Sequence, residues 1–500
     1  MKKKTIRKIE LLAPAGDLER LKTAVVFGAD AVYCGLPEWS LRNPREITFT
    51  LETLKEGIKF AHERGVKVYL TFNIFLHENQ LREIKRNLKE IQEGNLKEID
   101  GVIVSDLGML SLVKKHLPKV PIHISTQVNT LNSEAVKMWE KLGAQRVVLA
   151  RELTLEEIRE IRKEIQEGNL KKIQLEVFGH GAMCMAYSGR CLLSKYFTGR
   201  EANLGDCAQS CRWRYKIKSQ ISNLQASLDQ AKPDKSQNYN SKLKSYKLQA
   251  TSYFLEEETR PGDLLEVQED ENGTYFMNSK EICCLDILDQ FIESGIDSLK
   301  IEGRAKSIYY LAVVTRVYRK AIDAYYKLFQ ISNLKSQKYK VASQQYKKLI
   351  KELMGELNLI QNRGYSHGFL TGRDDYEQEY NVAAFRPNVI PVGQILEMKN
   401  LKTFTPPNIA KQFGGARISN VKSKEFLRNG YLVEVKNKFK VGDKVEILTP
   451  DKIIKTEIKE IKNEKEKILN EILKPQEKVW ITFCIKKEIP ERSILRKKIK

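Results

Sequence analysis

Four of the eight cysteines in this 500-residue chain fall within a stretch of only 28 residues. Cys184 and Cys191 are separated by six residues, and Cys207 and Cys211 by three. In a protein of this size such clustering indicates metal or redox chemistry rather than a disulfide framework. Four thiolates can bind zinc or an iron–sulfur cluster, and the wide gaps between them do not decide which. Buried cysteines without a ligand are the alternative interpretation, which the clustering makes the weaker one.

The other four cysteines are scattered along the chain. Cys34, Cys284 and Cys484 have sequence contexts typical of ordinary core positions, because free cysteine packs well in protein interiors. Of the cysteines outside the cluster, only Cys283 is a candidate to replace Cys211 as the fourth metal ligand.

A second group of candidates is polar. His180 lies shortly before the first cysteine, a position suited to a proton shuttle or to a partner of a metal ligand. Glu176 and Glu302 are candidate acid/base groups. For each polar candidate in this group, a structural role in an ion pair or a helix cap is at least as good an interpretation as a role in catalysis or binding. The candidates for binding are Arg151 and Arg304, which can hold phosphate or carboxylate with two hydrogen bonds, together with Asn73 and Gln127.

The segments that must position these residues alternate short β-branched runs with amphipathic helical stretches. Several helical stretches end at glycine, as at Gly65 and Gly143. Repeated strand–helix units predict a parallel sheet with right-handed crossovers. The predicted strands are Ile9–Ala15, Ala31–Gly35, Val66–Asn73, Gly101–Asp106, Ile122–Asn129, Arg146–Arg151, Lys172–Gly179 and Ser298–Glu302.

Eight such units predict an α/β fold, a TIM-like (β/α)8 barrel with a cysteine-rich insertion before the last unit. The polar candidates fall at the carboxyl ends of the predicted strands, which form the active-site face of that fold. A doubly wound open sheet is the alternative architecture. It usually carries a glycine-rich phosphate loop, and no GxGxxG pattern follows the first strand.

The chain divides into three predicted regions. The barrel covers residues 1–330, with the insertion at about 180–280. A helical or irregular connector follows over 331–386, and a small all-β, barrel-like domain covers 387–490. The strands predicted for this last domain are Val389–Leu396, Gly414–Asn420, Gly430–Val435, Asp443–Thr449 and Val479–Cys484.

Three polar or charged segments interrupt this pattern. Lys218–Ser252 is rich in Ser, Asn, Gln and Lys and is predicted to be a mobile, basic excursion. Asn333–Gln345 is predicted to extend the last helix of the barrel, which starts at Ile308. Lys452–Lys467 suits either a long hairpin or a helix.

The net charge of +22, from 86 basic and 64 acidic residues, favours a polyanionic partner. Heat-adapted proteins also carry many charges, but of both signs, so adaptation alone does not explain the imbalance. Nucleic acid is the favoured partner. The segment Arg212–Lys216 interleaves basic and aromatic residues, which suits phosphate contact and base stacking; a buried Trp213 with solvated neighbours is an equal alternative. No apolar run is long enough for a membrane span, and the N-terminus lacks signal-peptide features, so we expect a cytoplasmic protein without membrane contact.

The segment Glu176–Ser194 resembles the signature of peptidase family U32, in which a Glu-x-Phe-x-x-Gly run leads to Cys-x4-Gly-x-Cys and a following Ser. The resemblance extends over most of the chain apart from the polar tracts. Two segments, Cys207–Trp213 and Asn362–Phe369, bring it closest to a branch of prephenate-dependent tRNA uridine hydroxylases, which make 5-hydroxyuridine at the wobble position. The other similar segments are Leu12–Gly16, Gly28–Tyr33, Ile301–Arg304 and Glu434–Phe439.

The resemblance implies a 4Fe-4S cluster on Cys184, Cys191, Cys207 and Cys211, tRNA as the substrate, and prephenate or one of its products as co-substrate. Related proteins sometimes work in pairs, so a homo- or hetero-oligomer is compatible with it.

Two other functions compete with tRNA hydroxylation. A collagenase-like peptidase would use Cys184 or Cys191 as nucleophile and His180 as base, although a catalytic thiol does not need three neighbouring cysteines. No HExxH or GxSxG motif is present. A non-catalytic, metal-stabilised RNA-binding protein is the third hypothesis, and the polar rim of the predicted barrel argues against it.

Overall fold

The computed structural model describes most of the chain. The described residues are 8–36, 40, 48–95, 98–168, 172–213, 252–256, 264–270, 273–274, 278–331, 337–372, 377, 384–385, 387–400, 429–483, 485 and 488–499. The predicted basic excursion lies outside these residues except for its last residue, Ser252, and so does the predicted strand Gly414–Asn420.

The first part of the described chain forms a closed barrel of eight parallel strands. Seven consecutive strands pair in sequence order, and the eighth, Ser298–Ile301, pairs with both the first and the seventh. The predicted TIM-like barrel is therefore confirmed. The strands before the C-terminal domain are β1 (Glu10–Pro14), β2 (Ala31–Cys34), β3 (Lys67–Phe72), β4 (Gly101–Val104), β5 (Ile122–Ile124), β6 (Arg146–Val148), β7 (Gln174–Ala182), β8 (Ser252–Glu256), β9 (Leu264–Asp270), β10 (Gly273–Thr274), β11 (Glu281–Cys283), β12 (Ser298–Ile301) and β13 (Tyr365–Ser366).

Helices cover the outside of the barrel. At the start of five helices a capping side chain accepts a hydrogen bond from a backbone N–H group of the first turn. The capping residues are Asp17, Thr50, Asp106, Asn132 and Thr154. Gly65 and Gly143 follow two of the helices with φ of +71° and +92°, so the predicted glycine stops are confirmed. The helices are α1 (Leu18–Val26), α2 (Leu51–His62), α3 (Leu81–Glu90), α4 (Leu107–His116), α5 (Ser133–Lys141), α6 (Leu155–Glu167), α7 (Leu193–Thr198), α8 (Leu288–Glu293), α9 (Ile308–Ile331) and α10 (Gln337–Leu357).

Several predicted strands begin or end a few residues away from the observed bounds, as in β6 and β7, and two predicted elements differ more. The predicted strand Ile122–Asn129 stops at Ile124, because a single 3-10 turn, Thr126–Val128, follows, and Asn129 adopts a left-handed φ of +55°. The second polar stretch does not prolong α9: residues 332–336 lie outside the described chain, and a separate helix, α10, starts at Gln337 and packs on α9.

The insertion adds strands at the mouth of the barrel. β11 pairs antiparallel with the far half of β7, and β13 pairs parallel with β11. The long strand β7 therefore pairs with β12 within the barrel and, at its C-terminal end, with β11. β8, β9 and β10 form a separate three-stranded antiparallel sheet.

The C-terminal region forms a second, antiparallel barrel. Six of its described strands close on each other, because β17 pairs with both β22 and β18. The predicted small β barrel is confirmed. The segment Lys452–Lys467 is a hairpin rather than a helix, with β18 turning into β19. The strands are β14 (Val389–Asn400), β15 (Asn429–Val435), β16 (Phe439–Lys440), β17 (Lys444–Leu448), β18 (Ile453–Lys462), β19 (Ile468–Leu469), β20 (Glu471–Ile472), β21 (Lys478–Phe483) and β22 (Ile494–Lys498).

Buried polar groups join the two barrels. Arg316 on α9 donates from Nε to the carbonyl oxygen of Thr449 at 2.9 Å. Arg496 on β22 donates from Nη1 to the hydroxyl of Tyr309 at 3.1 Å. Leu448 and Ile494 of the second barrel belong to the core of the first. Among the described helices, none combines the length and the apolar character that a membrane span requires.

Candidate active site

A cavity of about 1050 Å³ opens at the carboxyl ends of the barrel strands. Its walls come from strand ends on one side and from the loops around α7 on the other. All four clustered cysteines line it. Five of the seven polar candidates line it as well, namely Asn73, Gln127, Arg151, Glu302 and Arg304. The fold therefore brings residues on or just after seven barrel strands, together with residues of the insertion, into one site.

The cysteine-bearing loops are tied together by two side chains. The amide of Asn203 brackets Cys191, accepting from its backbone N–H and donating to its carbonyl oxygen, both at 3.2 Å. The buried hydroxyl of Ser194 accepts the backbone N–H of Ala208 at 2.9 Å, which fixes the loop carrying Cys207 against α7. These contacts hold the two halves of the cluster on the same side of the cavity.

Cys207 and Cys211 do not lie on an α-helix. Gln209 between them has a left-handed φ of +57°, and Cys211 sits in the single 3-10 turn Ser210–Arg212. Burial raises the pKa of Cys211; Arg212 lowers it, and the neighbouring sulfurs of Cys184 and Cys207 raise it further. The turn, rather than helical periodicity, therefore places these thiols near each other.

The four clustered cysteines supply sulfur, the donor type that binds zinc and iron–sulfur clusters. None of the four is in a disulfide, all are partly exposed and all line one cavity, and the backbone N–H of Gln209 donates to Sγ of Cys207 at 3.4 Å. Such N–H···S bonds stabilise thiolates that bind metal. Within the described residues, no three side chains of His, Cys, Asp or Glu are close enough to hold a single ion.

The cavity is strongly basic. Seven Lys or Arg side chains line it, against three Asp or Glu side chains. In a partly buried site such an excess favours anionic ligands, because the surrounding protein screens charge less than water does.

Arg151 and Glu302 form a fixed pair on the wall. Nη2 of Arg151 lies 2.9 Å from Oε2 of Glu302, and Nη1 donates to the carbonyl oxygen of Ala182 at 3.0 Å. The guanidinium also stacks 4.0 Å above the ring of Phe178. With three partners the Arg151 side chain has one orientation, which is a requirement for a positioning group.

Arg304 is buried at the base of the wall. It donates to the hydroxyls of Ser40 and Thr71, the latter at 3.2 Å, and from Nη2 to the carbonyl oxygen of Gly35 at 2.9 Å. Burial lowers the pKa of Arg304. Its guanidinium lines the cavity, where it can contact an anionic ligand.

The hydroxyl of Ser105 lies between the backbone of Asn73 and the side chain of Gln127. Oγ of Ser105 lies 3.0 Å from the carbonyl oxygen of Asn73 and 3.0 Å from Oε1 of Gln127. Gln127 is therefore oriented with its oxygen toward Ser105.

His180 and Glu176 lie behind the cavity wall rather than on it. His180 is fully buried among the rings of Tyr310, Tyr318 and Tyr365, with Nδ1 3.3 Å from the hydroxyl of Tyr318. Burial lowers its pKa to about 4. Glu176 is fully buried in the barrel between Lys300 and Arg146. The acid/base roles predicted for these two residues remain predictions, and their positions favour structural roles.

Cys283 is also behind the wall. It is buried, with Sγ 3.7 Å from the hydroxyl of Tyr318, and burial raises its pKa to about 12. It does not line the cavity that holds the other four cysteines, so the structure gives no support to it as a replacement for Cys211.

Three charged residues of the wall were missed by the sequence analysis. Glu281 on β11 is fully buried and pairs with Lys306 at 2.7 Å and with Arg363 at 3.6 Å. Burial raises the pKa of Glu281, but the two cations more than reverse this, and the net shift is downward. Nε and Nη2 of Arg363 have no hydrogen-bond partner among the described residues. A signal was present, because Arg363 lies in one of the segments that resemble the U32 family.

The fold and the site together define a two-domain α/β-barrel protein with a basic, thiol-lined cavity at the face where such barrels carry their active sites. Residues 16–380 match peptidase family U32, and residues 418–496 match the C-terminal domain of that family. The chain belongs to peptidase family U32, as its motifs predict.

Its relatives carry two kinds of name. The chain is 37% identical to tRNA hydroxylation protein P of Escherichia coli, over 92% of this chain and 90% of that protein. It is 36% identical to tRNA hydroxylation protein P1 of Bacillus subtilis, over 75% of this chain and 73% of that protein. It is also 36% identical to an uncharacterized protease of Methanocaldococcus jannaschii, over 78% of this chain and 80% of that protein.

Proposed function

We propose that this protein hydroxylates the wobble uridine of tRNA to 5-hydroxyuridine, with a 4Fe-4S cluster as cofactor and prephenate or one of its products as co-substrate. The observation that carries the proposal is that four clustered cysteines and a set of buried cations line the same cavity at the active-site end of the barrel. The names of two relatives point to the same reaction class.

The cavity has room for a nucleobase and a small acid together. Its volume of about 1050 Å³ is at the upper end of the range for small-molecule sites, which is roughly 300–1000 Å³. A base in an unpaired anticodon position can leave its stack at a cost of only a few kcal/mol and enter such a pocket.

The cluster would be held by Cys184, Cys191, Cys207 and Cys211. When bound, a 4Fe-4S cluster supplies one-electron redox chemistry. The protein's own contribution is to keep these thiols on one wall through Ser194 and Asn203 and to place the cations opposite them.

Carboxylates of the co-substrate would meet the buried cations. Prephenate carries two carboxylates, and Arg304, Lys306 and Arg363 all line the cavity. Arg363 is the first choice for one carboxylate, because two of its donor atoms have no partner among the described residues. The Arg151–Glu302 pair then orients the ligand from the opposite strand ends, since both of its side chains are fixed.

The proposal is tested by nucleoside analysis of tRNA. Cells that lack the gene are complemented with the wild type, Cys184→Ala, Cys191→Ala or Cys283→Ala, and digested tRNA is measured by mass spectrometry. We expect 5-hydroxyuridine with the wild type and Cys283→Ala, and none with Cys184→Ala or Cys191→Ala. Normal hydroxylation by both of these variants would contradict the cluster assignment.

Metal content gives an independent test. Anaerobically purified protein is assayed for iron and acid-labile sulfide and by optical spectroscopy. We expect about four of each per chain, lost in Cys184→Ala and Cys191→Ala and kept in Cys283→Ala. Zinc, or no metal in freshly purified protein, would rule out the cluster.

A peptidase remains the second candidate because one relative is named a protease. It would need His180 as base for Cys184 or Cys191, but His180 is buried among three tyrosines and does not line the cavity with these thiols. Cleavage of denatured collagen by the wild type, lost in Cys184→Ala and His180→Gln, would support it over hydroxylation.

A further inference from the structure

Large apolar side chains are exposed around α7, on the loops that carry the cysteines. Leu192 is 73% exposed, Tyr196 82%, Phe197 42% and Trp213 40%. The exposure of Trp213 removes the alternative of a buried tryptophan core at this point; Arg214–Lys216 lie outside the described residues. A cluster of exposed aromatic residues costs solvation free energy and usually marks a binding surface.

The three rings form a connected group. The ring centroids of Tyr196 and Phe197 are 5.1 Å apart at an interplanar angle of 76°, and those of Phe197 and Trp213 are 6.3 Å apart at 50°. Phe197 is therefore the central ring, and we call these three residues the aromatic platform. Ser194 is buried and anchors the short helix beneath it, while Gly199 ends that helix with φ of +72°.

The aromatic platform borders the cavity. Leu193 lines the cavity three residues before Tyr196, Arg200 lines it three residues after Phe197, and Arg212 lines it immediately before Trp213. The three rings therefore lie on the loops that form this side of the cavity.

The charges beside the aromatic platform select the kind of ligand. Lys195 pairs with Glu201, and Arg200 pairs with Asp206 at 2.6 Å. Arg212 precedes Trp213 in the chain and lines the cavity; it donates to Oε1 of Gln209, a neutral partner, at 2.6 Å. A guanidinium with a neutral partner near exposed rings matches single-stranded nucleic acid, whose bases stack while its phosphates bind cations. A protein partner with an apolar face would leave this guanidinium without a counter-charge.

We propose that the aromatic platform stacks unpaired bases of an RNA loop that flank the base delivered to the cavity. The proposal deepens the proposed tRNA hydroxylation and rests on it for the identity of the RNA. Tyr196 and Phe197 read a single-stranded conformation rather than a sequence, because every base has a face that can stack. The aromatic platform therefore selects loops over duplexes.

Binding of labelled RNA to the full-length protein tests this proposal. The two probes are an anticodon stem–loop and a blunt duplex of the same length and composition. The variants are Phe197→Leu and Tyr196→Leu, which remove a ring but keep an apolar side chain, and Phe197→Tyr, which keeps the ring. Leu473→Ala is the control, because Leu473 is an exposed apolar residue on the C-terminal barrel.

We expect each Leu variant to bind the stem–loop roughly 5- to 150-fold more weakly, the range for loss of one stacked base. Duplex affinity and the salt dependence of binding stay unchanged, since no phosphate contact is removed. Phe197→Tyr and Leu473→Ala bind like the wild type. Thermal melting of each variant verifies that it is folded, and Tyr196→Leu is the safer variant because Tyr196 is so exposed.

Three results would overturn the proposal: unchanged stem–loop affinity in both Leu variants, equal losses for stem–loop and duplex, or self-association of the wild type that Phe197→Leu abolishes. The outcome is separable from the hydroxylation test. If the Leu variants bound the stem–loop more weakly but the wild type made no 5-hydroxyuridine, the proposed reaction would be contradicted and the role of the aromatic platform would be supported. Hydroxylation with ring-independent binding would contradict only the aromatic platform.

Discussion

The carboxylate of Glu176 lies between two cations inside the barrel, with Oε1 2.7 Å from Nζ of Lys300 and Oε2 2.9 Å from Nη1 of Arg146. Arg146 also binds Glu10, at 2.5 Å. Burial raises the pKa of Glu176, but Lys300 and Arg146 more than offset this and the net shift is downward. A carboxylate so committed is a poor general base. Glu176 is the third residue of β7, which continues to Ala182, so its side chain lies inside the barrel rather than at the cavity.

His180 provides a pH-dependent prediction. Its pKa is lowered to about 4 in the folded protein, against about 6.5 when exposed, so only the unfolded chain binds a proton in between. Stability is therefore full above pH 6.5 and falls as the pH drops toward 4, by up to ~1.4 kcal/mol per pH unit for this group. Burial lowers the pKa of His123 as well, which adds to the effect in the same direction.

Urea unfolding from pH 7 to pH 4 measures this dependence. We expect His180→Gln to reduce it, because glutamine does not titrate. An identical pH dependence in His180→Gln and the wild type would contradict the assignment.

At Gly181, on β7, we expect a larger side chain to be sterically unfavourable. Its φ is +109°, and a Cβ there would lie 2.1 Å from the carbonyl oxygen of Glu302. Gly65 also has a left-handed φ, of +71°, but open space around its Cβ position. We expect Gly65→Ala to cost ~1–2 kcal/mol from backbone strain, and Gly181→Ala a further ~1–3 kcal/mol from the clash. Chemical denaturation measures the unfolding free energy of both variants. If Gly181→Ala and Gly65→Ala lost the same amount, the backbone around Glu302 would be able to move away from the new Cβ at no cost.

The loops around α7 show how a short element can organise a site. Ser194 has its hydroxyl in contact with the backbone of the Cys207 loop, whereas the hydroxyl of Thr198 returns to the carbonyl of Ser194 within the helix. Both side chains belong to the same six-residue helix, so they form a matched pair for testing what the loop contact does.

We expect Ser194→Ala to lower the iron content of purified protein while changing its unfolding free energy by only ~0.5–1.5 kcal/mol, the net value of one hydrogen bond. Thr198→Ala should keep the wild-type iron content. Iron analysis and thermal melting of both variants measure the two effects. Full iron occupancy in Ser194→Ala would show that the loop holds Cys207 without α7.

Buried arginine side chains join the two barrels, and we expect these contacts to couple the unfolding of one barrel to that of the other. Arg316 is almost fully buried on α9, where it contacts the carbonyl oxygen of Thr449 and the carboxylate of Glu356. Removing a buried charge while leaving its partner costs ~3–5 kcal/mol.

We expect the wild type to melt in one calorimetric transition and Arg316→Met to melt earlier, in two, as the barrels separate. Lys327→Met, at an exposed position of the same helix, is the control and should melt like the wild type. A single unshifted transition in Arg316→Met would contradict the coupling.

The sequence by itself determined the local elements and the nature of the site. Alternating strand and helix patterns, with glycine at helix ends, predict the eight-unit barrel, because backbone geometry and hydrophobic periodicity are local properties. The cysteine cluster and the positions of Asn73, Gln127, Arg151, Glu302 and Arg304 at strand ends predict which residues share a cavity, since all parallel strands present their carboxyl ends at one face.

Only the tertiary structure decided which candidates face that cavity. Glu176 points into the barrel but lies deep within it, where it pairs with Lys300 and Arg146. His180 and Cys283 pack instead against Tyr318, behind the cavity wall. The pairing of β11 with the end of β7 brought Glu281, Lys306 and Arg363 together from three distant segments. Burial and ion pairing depend on such long-range packing, which no local pattern encodes.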